Sequence, residues 1–368
     1  MNADDLPTTL EAMSDSHATP FHQFLSAATG QCLPWVEVMK LALYHPDHGY
    51  YAGKPRRVGR AGDFYTAVSV GPLYGQLLAQ VAAEVWHSLG QPDGFTLIEQ
   101  GAHDGQLAAD IWQGWPHKQK PRYLIVEPQA EYREVQRTRL APMMGERVSW
   151  VPSWAEMGAS PTHAMLLCNE LLDAFPVLRV RWTDHQWREL WVASDFAWTE
   201  AAITDPAVVA EVQRLPTDLP AGYTTEVHPA AADWMQCVAQ SSFKGAVLIA
   251  DYGYEAGEYY TPERSDGTLR RYHAHRTDGE VLRDLGQCDL TAHINFTRLI
   301  EVAEGAGLTV HSLLDQGRFL THAAKPWLLS LEGRKPDAAT LSLLRQFQSL
   351  THPGHMGAAF KVLRLEKH

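Results

Sequence analysis

The chain has 368 residues, 45% hydrophobic and 20% charged, the make-up of a globular protein long enough for one large domain or two. Its formal net charge of −12 argues against a duplex nucleic-acid partner, since phosphate contacts need a basic surface, and no apolar run reaches the ~18 residues of a membrane span. The four cysteines are scattered with no CxxC pair, which suits a reduced, cytoplasmic protein.

Residues 1–20 are polar and acidic, lacking the marks of a secretion signal or transit peptide, and are expected to be disordered. Residues 21–28 and 35–43 read as short helices, followed by an aromatic, turn-rich loop (YHPDHGYYAG) and a basic, Gly-rich one. Leu73, Leu77, Val81 and Val85 then recur every fourth residue, predicting a helix over 72–89 that Gly90 ends. Residues 21–92 thus form a helical region with loops. From 93 onward strands and helices alternate. Strands are expected at 95–100, 122–127, 148–151, 163–170, 247–253, 308–314 and 358–366, with helices at 106–112 and 129–140. Buried runs alternating with helices predict an α/β fold around a mostly parallel sheet covered on both faces. Two segments break the pattern. Residues 177–225 hold an apolar/polar alternation around 183–186, which reads as an antiparallel hairpin in a β-rich insertion. Residues 254–290 read as a long irregular loop of the kind that forms lids or binding loops.

Chemistry concentrates at the ends of the predicted strands. In FTLIEQGAHDGQL a strand passes through Gly101 and Gly105 into a helix whose N-terminus aims backbone donors at a ligand. Glu127 ends the next strand, where an acid can accept both hydroxyls of a ribose. An ordinary βα turn with a solvent-facing Glu would look the same. In CNELLDAFPV, Asn169 and Glu170 close the fourth strand and Asp173 falls one turn beyond Asn169. They can orient a cation, or simply cap a helix. Asp63 lies in the loop GDFYTAVSVGP, DYGY (251–254) ends the fifth strand, and GTLRRYHAHR clusters Arg270, Arg271, His273, His275 and Arg276. That cluster can hold an anion or pair with surface acids. The close His pairs form no HExxH and sit beside no Cys, so no metal site is expected. There is no GxSxG elbow and no phosphate-binding P-loop. A nicotinamide fingerprint would need Gly where His103 and Gln106 stand.

LALYHPDHGYY, GDFYTAVSVGPLYGQLL, IEQGAHDGQLAADI, YLIVEP, CNELLDAFPV, DYGY, GTLRRYHAHR and DLTAHINFTRL, in that order, resemble the MidA-like S-adenosylmethionine-dependent methyltransferases from about residue 21 to the C-terminus. That family includes a mitochondrial complex I assembly-factor protein-arginine methyltransferase. The resemblance implies a class I, Rossmann-like, seven-stranded sheet with a helical N-terminal region and a β-rich insertion. It implies S-adenosyl-L-methionine as cofactor, held by Gly101, His103, Gly105, Glu127 and Asn169. It implies methyl transfer at Asp63, Asn169, Glu170 and Asp173, with a protein side chain such as arginine as acceptor. Carboxylates there would align a guanidinium with the methyl donor and favour its cationic product. No motif sets the oligomeric state, and a homodimer is allowed. Three departures stand out. His103 replaces the middle Gly of the family's Gly-x-Gly-x-Gly, Val68 and Ser69 replace Pro-Glu, and Gln76 replaces a Glu. They keep open a second reading: a catalytically silent relative that serves as an assembly or binding protein, its cofactor subsite altered at His103.

Overall fold

Seven strands run side by side through the molecule in the order β6-β7-β5-β4-β1-β2-β3, with β1 Thr96–Gln100, β2 Arg122–Val126, β3 Val148–Val151, β4 His163–Asn169, β5 Lys244–Tyr254, β6 Thr309–Asp315 and β7 Phe360–Lys367. In the computed structural model, which describes residues 21–23, 25, 32–52, 66–157, 161–273 and 276–368, β5, β4, β1, β2 and β3 are parallel neighbours. β7 is antiparallel to both β5 and β6, and a short strand, Ile294–Asn295, pairs with the end of β5 as an eighth member. The sheet is therefore mixed, with β7 running against both of its neighbours, and has eight strands where the sequence suggested seven. The extra strand is two residues long and carries no periodicity to read.

The central strands are apolar on both faces because both are covered. Leu97, Ile125, Leu167 and Leu248 face one layer, with the helices Leu73–Ser88, Gln106–Gly114 and Gln316–Ser330. Ile98, Leu124, Leu166 and Ile249 face the other, with the helices Pro229–Gln240 and Phe296–Gly305. The strand order reverses between β1 and β4, so their carboxyl ends diverge and leave a crevice.

Between β4 and β5 the chain builds a second sheet from Leu178–Thr183, Gln186–Val192, Trp198–Ala201 and Thr224–Val227, and Leu33–Pro34 adds a fifth strand. Its first two strands form a hairpin in which Asp184 and His185 both have positive φ, as a two-residue primed turn requires. The helix Trp35–Tyr44 packs against this sheet through Trp35, Val38 and Met39. Residues 254–290 are not the irregular loop expected: Arg270–His273 pairs antiparallel with Arg276–Asp278 and Asp289–Thr291 in a small third sheet. These strands are too short and too charged to show alternation, and Arg271 ties them by bonding Asp278 and Asp284. Residues 1–20 lie outside the described residues. No described helix is long and apolar enough to cross a membrane.

Candidate functional site

The carboxyl ends of β1, β2 and β4 open on one cavity of about 1280 Å³, which reaches from the Gly101–Gly105 turn to the aromatic residues of the N-terminal region. At the first end, β1 leaves the sheet at Gly101 (φ 83°) and re-enters helix after Gly105 (φ 81°), both in the left-handed region that glycine adopts without strain. The turn is tight. A Cβ at Gly101 would stand 3.2 Å from Leu171 Cδ1, and one at Gly105 would stand 3.2 Å from Leu140 Cδ1. His103 is also left-handed (φ 48°), a conformation that suits the glycine the resemblance implies there and that histidine, one of the few other residues enriched in that region, tolerates. The imidazole lies edge-on to Tyr132, with centroids 5.9 Å apart, and its Nδ1 is 3.8 Å from Asp104 Oδ1. Burial pushes the Asp104 carboxyl up, but His103 and Arg139, whose guanidinium is 2.8 Å away, outweigh it and hold it below the usual range.

Glu127, just past β2, is buried and faces the cavity. Its Oε1 accepts from the Gln129 N–H (3.0 Å) and its Oε2 from Gln136 Nε2 (3.2 Å). Burial raises its carboxyl above the ordinary value, partly offset by those two bonds and by Arg133 and His103. Gln136, fully buried on the helix Ala130–Met144, also donates to the His103 carbonyl (2.9 Å) and accepts from Trp150 Nε1 (3.0 Å). One amide thus ties the glycine turn to the acid and to β3. The sequence reading overlooked it, although a signal was present: Gln136 interrupts an apolar stripe of Tyr132, Leu140 and Met144 at helical spacing.

The other end is acidic and aromatic. Asn169 ends β4, accepts from Tyr74 OH (2.5 Å) and donates to Glu170 Oε1 (2.9 Å). Glu170 itself has φ 51° and lines the cavity. Burial pushes it up to about 8, against the pull of the Asn169 bond. Asp173 is buried and held well above its usual value by burial and then by Asp251, Glu170 and Asp289. Among the described residues, no ion pair neutralises Glu170, Asp173 or Asp251. Tyr51 donates to Asp289 (2.9 Å), Tyr44 donates to the Ala174 carbonyl (2.8 Å), and the two rings stack 5.6 Å apart. Tyr252 and Tyr272 complete the wall. Tyr44, Tyr51, Tyr74 and Asp289 lie within quoted motifs but were given no role.

The structure therefore brings Gly101, His103, Glu127, Asn169, Glu170 and Asp173 to one cavity; Gly105 stands behind it as the cap of the Gln106–Gly114 helix. Asp63 lies outside the described residues. Of the departures, Ser69 lines the cavity and folds back on Thr66 through reciprocal bonds of 3.0 and 3.1 Å. Gln76 does not line it: its Cα packs against Gly114 of the neighbouring helix. In GTLRRYHAHR, Arg271 serves the third sheet through Asp278 and Asp284, and Arg270 donates to the Leu269 carbonyl. His275 and the Arg276 side chain lie outside the described residues.

Residues 77–314 match a family model described as "Putative S-adenosyl-L-methionine-dependent methyltransferase". Among curated proteins, the chain is 28% identical to the protein arginine methyltransferase NDUFAF7, mitochondrial, of Rattus norvegicus, over 97% of this chain and 87% of the relative. It is 26% identical to the Homo sapiens protein of that name, over 90% and 79%. Among solved structures, a superfamily member from Burkholderia thailandensis bound to S-adenosyl-homocysteine superposes with a TM-score of 0.83 at 29% identity, covering 94% of this chain and 92% of that one. The cytoplasmic expectation is corrected by the curated relatives, which are named as mitochondrial; scattered cysteines do not single out a compartment.

Proposed function

Because the chain belongs to this family of S-adenosyl-L-methionine-dependent methyltransferases, we propose that it methylates a protein side chain, an arginine guanidinium, at the acidic end of the cavity. The observation that carries this reading is the cluster of Glu170 and Asp173 facing an aromatic-walled space, with no lysine or arginine paired to either among the described residues. Clustered carboxylates held above their ordinary values form a site that gains when a cation enters. The curated relatives are named protein arginine methyltransferases, which fits that cation.

The residues at the other end fit the cofactor. Each Glu127 oxygen accepts one bond from within the protein and keeps an acceptor position for a ribose hydroxyl. Gly101 lets the backbone pass close to the methionine part, and Asn169 lies between the two ends. When bound, the cofactor supplies an electrophilic methyl group on a sulfonium. Glu170 and Asp173 hold the acceptor guanidinium in line with that methyl, which is mainly a matter of alignment. Methylation would release a proton from the acceptor nitrogen, the C–S electron pair staying with the donor's sulfur, and Glu170 would take that proton or pass it to water. Tyr44 and Tyr51 act as one wall of the acceptor end, and Tyr74 supports it by donating to Asn169.

Calorimetry with S-adenosylhomocysteine, followed by tritiated-methyl transfer to pooled arginine peptides and their lysine counterparts, tests the reading. Saturable heat and label on arginine peptides alone are expected. No heat and no thermal shift at millimolar ligand would overturn cofactor binding. Binding without label on any peptide would favour the catalytically silent alternative.

A further inference from the structure

The geometry points to Asp251 as the positioning residue that holds the turn after β4, and with it both Glu170 and Leu171, in register with the glycine turn. This rests on the reading of Glu170 and Asp173 as the acceptor-binding acids. Asp251 sits on β5, is 1% exposed and does not line the cavity. Its Oδ2 accepts from three consecutive backbone N–H groups, those of Leu171 (3.2 Å), Leu172 (2.9 Å) and Asp173 (3.3 Å). Its Oδ1 accepts from the N–H of Tyr252 (2.8 Å). One residue earlier, the Ala250 carbonyl takes the Glu170 N–H (2.9 Å). The chain leaving β4 thus wraps around a single carboxylate as an anion-binding nest, supplied from within the protein.

Two consequences follow from what the turn carries. Glu170 is held at φ 51°, a conformation a glutamate adopts only where its surroundings impose it, and the bonds on either side of it impose it here. Leu171 packs against Gly101, where a Cβ would already stand 3.2 Å from its side chain. The same turn therefore aims an acid at the acceptor and sets its distance from the turn that holds the methyl donor. An error of about 1 Å in that relation costs on the order of 100-fold in rate while leaving each half of the site to bind by itself. No neutral side chain replaces this carboxylate. An amide offers one acceptor oxygen in place of two, and its NH₂ would face backbone N–H donors.

The test uses the full-length protein in three arms. Asp251→Asn should lower the turnover of methyl transfer to the arginine peptides by about 100-fold, with the S-adenosylhomocysteine Kd and peptide KM changed by less than about threefold. Turnover within threefold of the parent would overturn the inference, as would a loss confined to KM. The double variant Asp251→Asn, Glu170→Gln should be no slower than Glu170→Gln alone; additive losses would mean that Asp251 does not act through Glu170. Amide exchange in the unsubstituted protein should place Leu171, Leu172 and Asp173 with the slowest strand amides. Fast exchange there overturns the clamp, and this arm decides the matter even if Asp251→Asn does not fold. If Glu170→Gln and Asp173→Asn leave transfer intact while the exchange result holds, the reading of the acids has failed and the clamp has not.

Discussion

The two ends of the cavity are made of different material. The end proposed for the cofactor is mostly main chain from one contiguous stretch: a strand, two left-handed glycines and a helix start, completed by one acid on the adjacent strand. The end proposed for the acceptor is side chains from well-separated segments, with Tyr44 and Tyr51 near the start, Glu170 and Asp173 after β4, and Asp289 in the third sheet. A cofactor common to many acceptors can be held by backbone geometry that does not depend on the acceptor. Side chains gathered from distant segments can be exchanged one at a time, so specificity belongs at that end.

The sharpest division of labour should come from one substitution at each end. Glu170→Gln removes the charge that faces the acceptor and should lower turnover by about 100-fold, with S-adenosylhomocysteine affinity kept within about threefold. Glu127→Ala should do the reverse. It removes bonds to a charged group worth about 1.5–3 kcal/mol, so calorimetry should show the cofactor Kd weakened by roughly 10- to 100-fold. If either variant damages both functions equally, the two ends are not separable.

The difference between the ends also sets what the sequence could reveal. The glycine turn, Glu127 and the NELLDA segment are local, so spacing marked them as candidates and the family resemblance chose among the alternatives, and they do meet at one cavity. Gln136 was passed over, and Asp251 was noted in DYGY without a role, because both bond other protein groups, and those partners are distant in sequence or have no pattern. Asp289 and the third sheet were missed for a related reason: strands of three or four residues are shorter than the alternation that would reveal them. Gln76 shows the opposite error. A departure from a family motif pointed to the site, yet the residue faces a neighbouring helix.

Gln136→Leu asks whether a residue with no direct ligand role belongs to the cofactor end. The change leaves Trp150 Nε1 without its acceptor and takes a donor from the His103 carbonyl and from Glu127. Each buried group so exposed costs about 1–3 kcal/mol, so chemical denaturation should show a loss of a few kcal/mol. Cofactor affinity should fall by about tenfold, because the glycine turn and Glu127 lose their common tie.

A milder probe of the acceptor end is pH. Glu170 is held up to about 8 by burial, above its unfolded value of 4.5. The folded chain therefore keeps that proton where the unfolded chain has lost it, and this group's contribution to stability declines as pH rises from about 4.5 towards 8. A bound guanidinium reverses the preference and expels the proton. Acceptor affinity should rise several-fold per pH unit up to about 8 and then level off, with proton release visible in calorimetry as a dependence on buffer ionisation enthalpy. Glu170→Gln should flatten that profile, while Glu127→Ala should not.

The smallest effect is expected where the sequence seemed most abnormal. His103 stands in a backbone conformation made for glycine, so His103→Gly relieves strain of about 1 kcal/mol or less. Glycine also gives back about 0.5–1 kcal/mol through the greater freedom of its unfolded chain. The two nearly cancel, and the melting temperature should move by only a degree or two. Affinity depends on the ring. It lies near-perpendicular to the Tyr132 ring and beside Asp104, with its side chain 29% exposed, a position at the rim of the cofactor end. From the rim, removing the ring should change S-adenosylhomocysteine affinity by less than about threefold. A tenfold gain would mean that the imidazole competes for the methionine part of the site. The cofactor end would then no longer be a backbone device indifferent to its side chains, and the contrast between the two ends would fail at the turn that defines it.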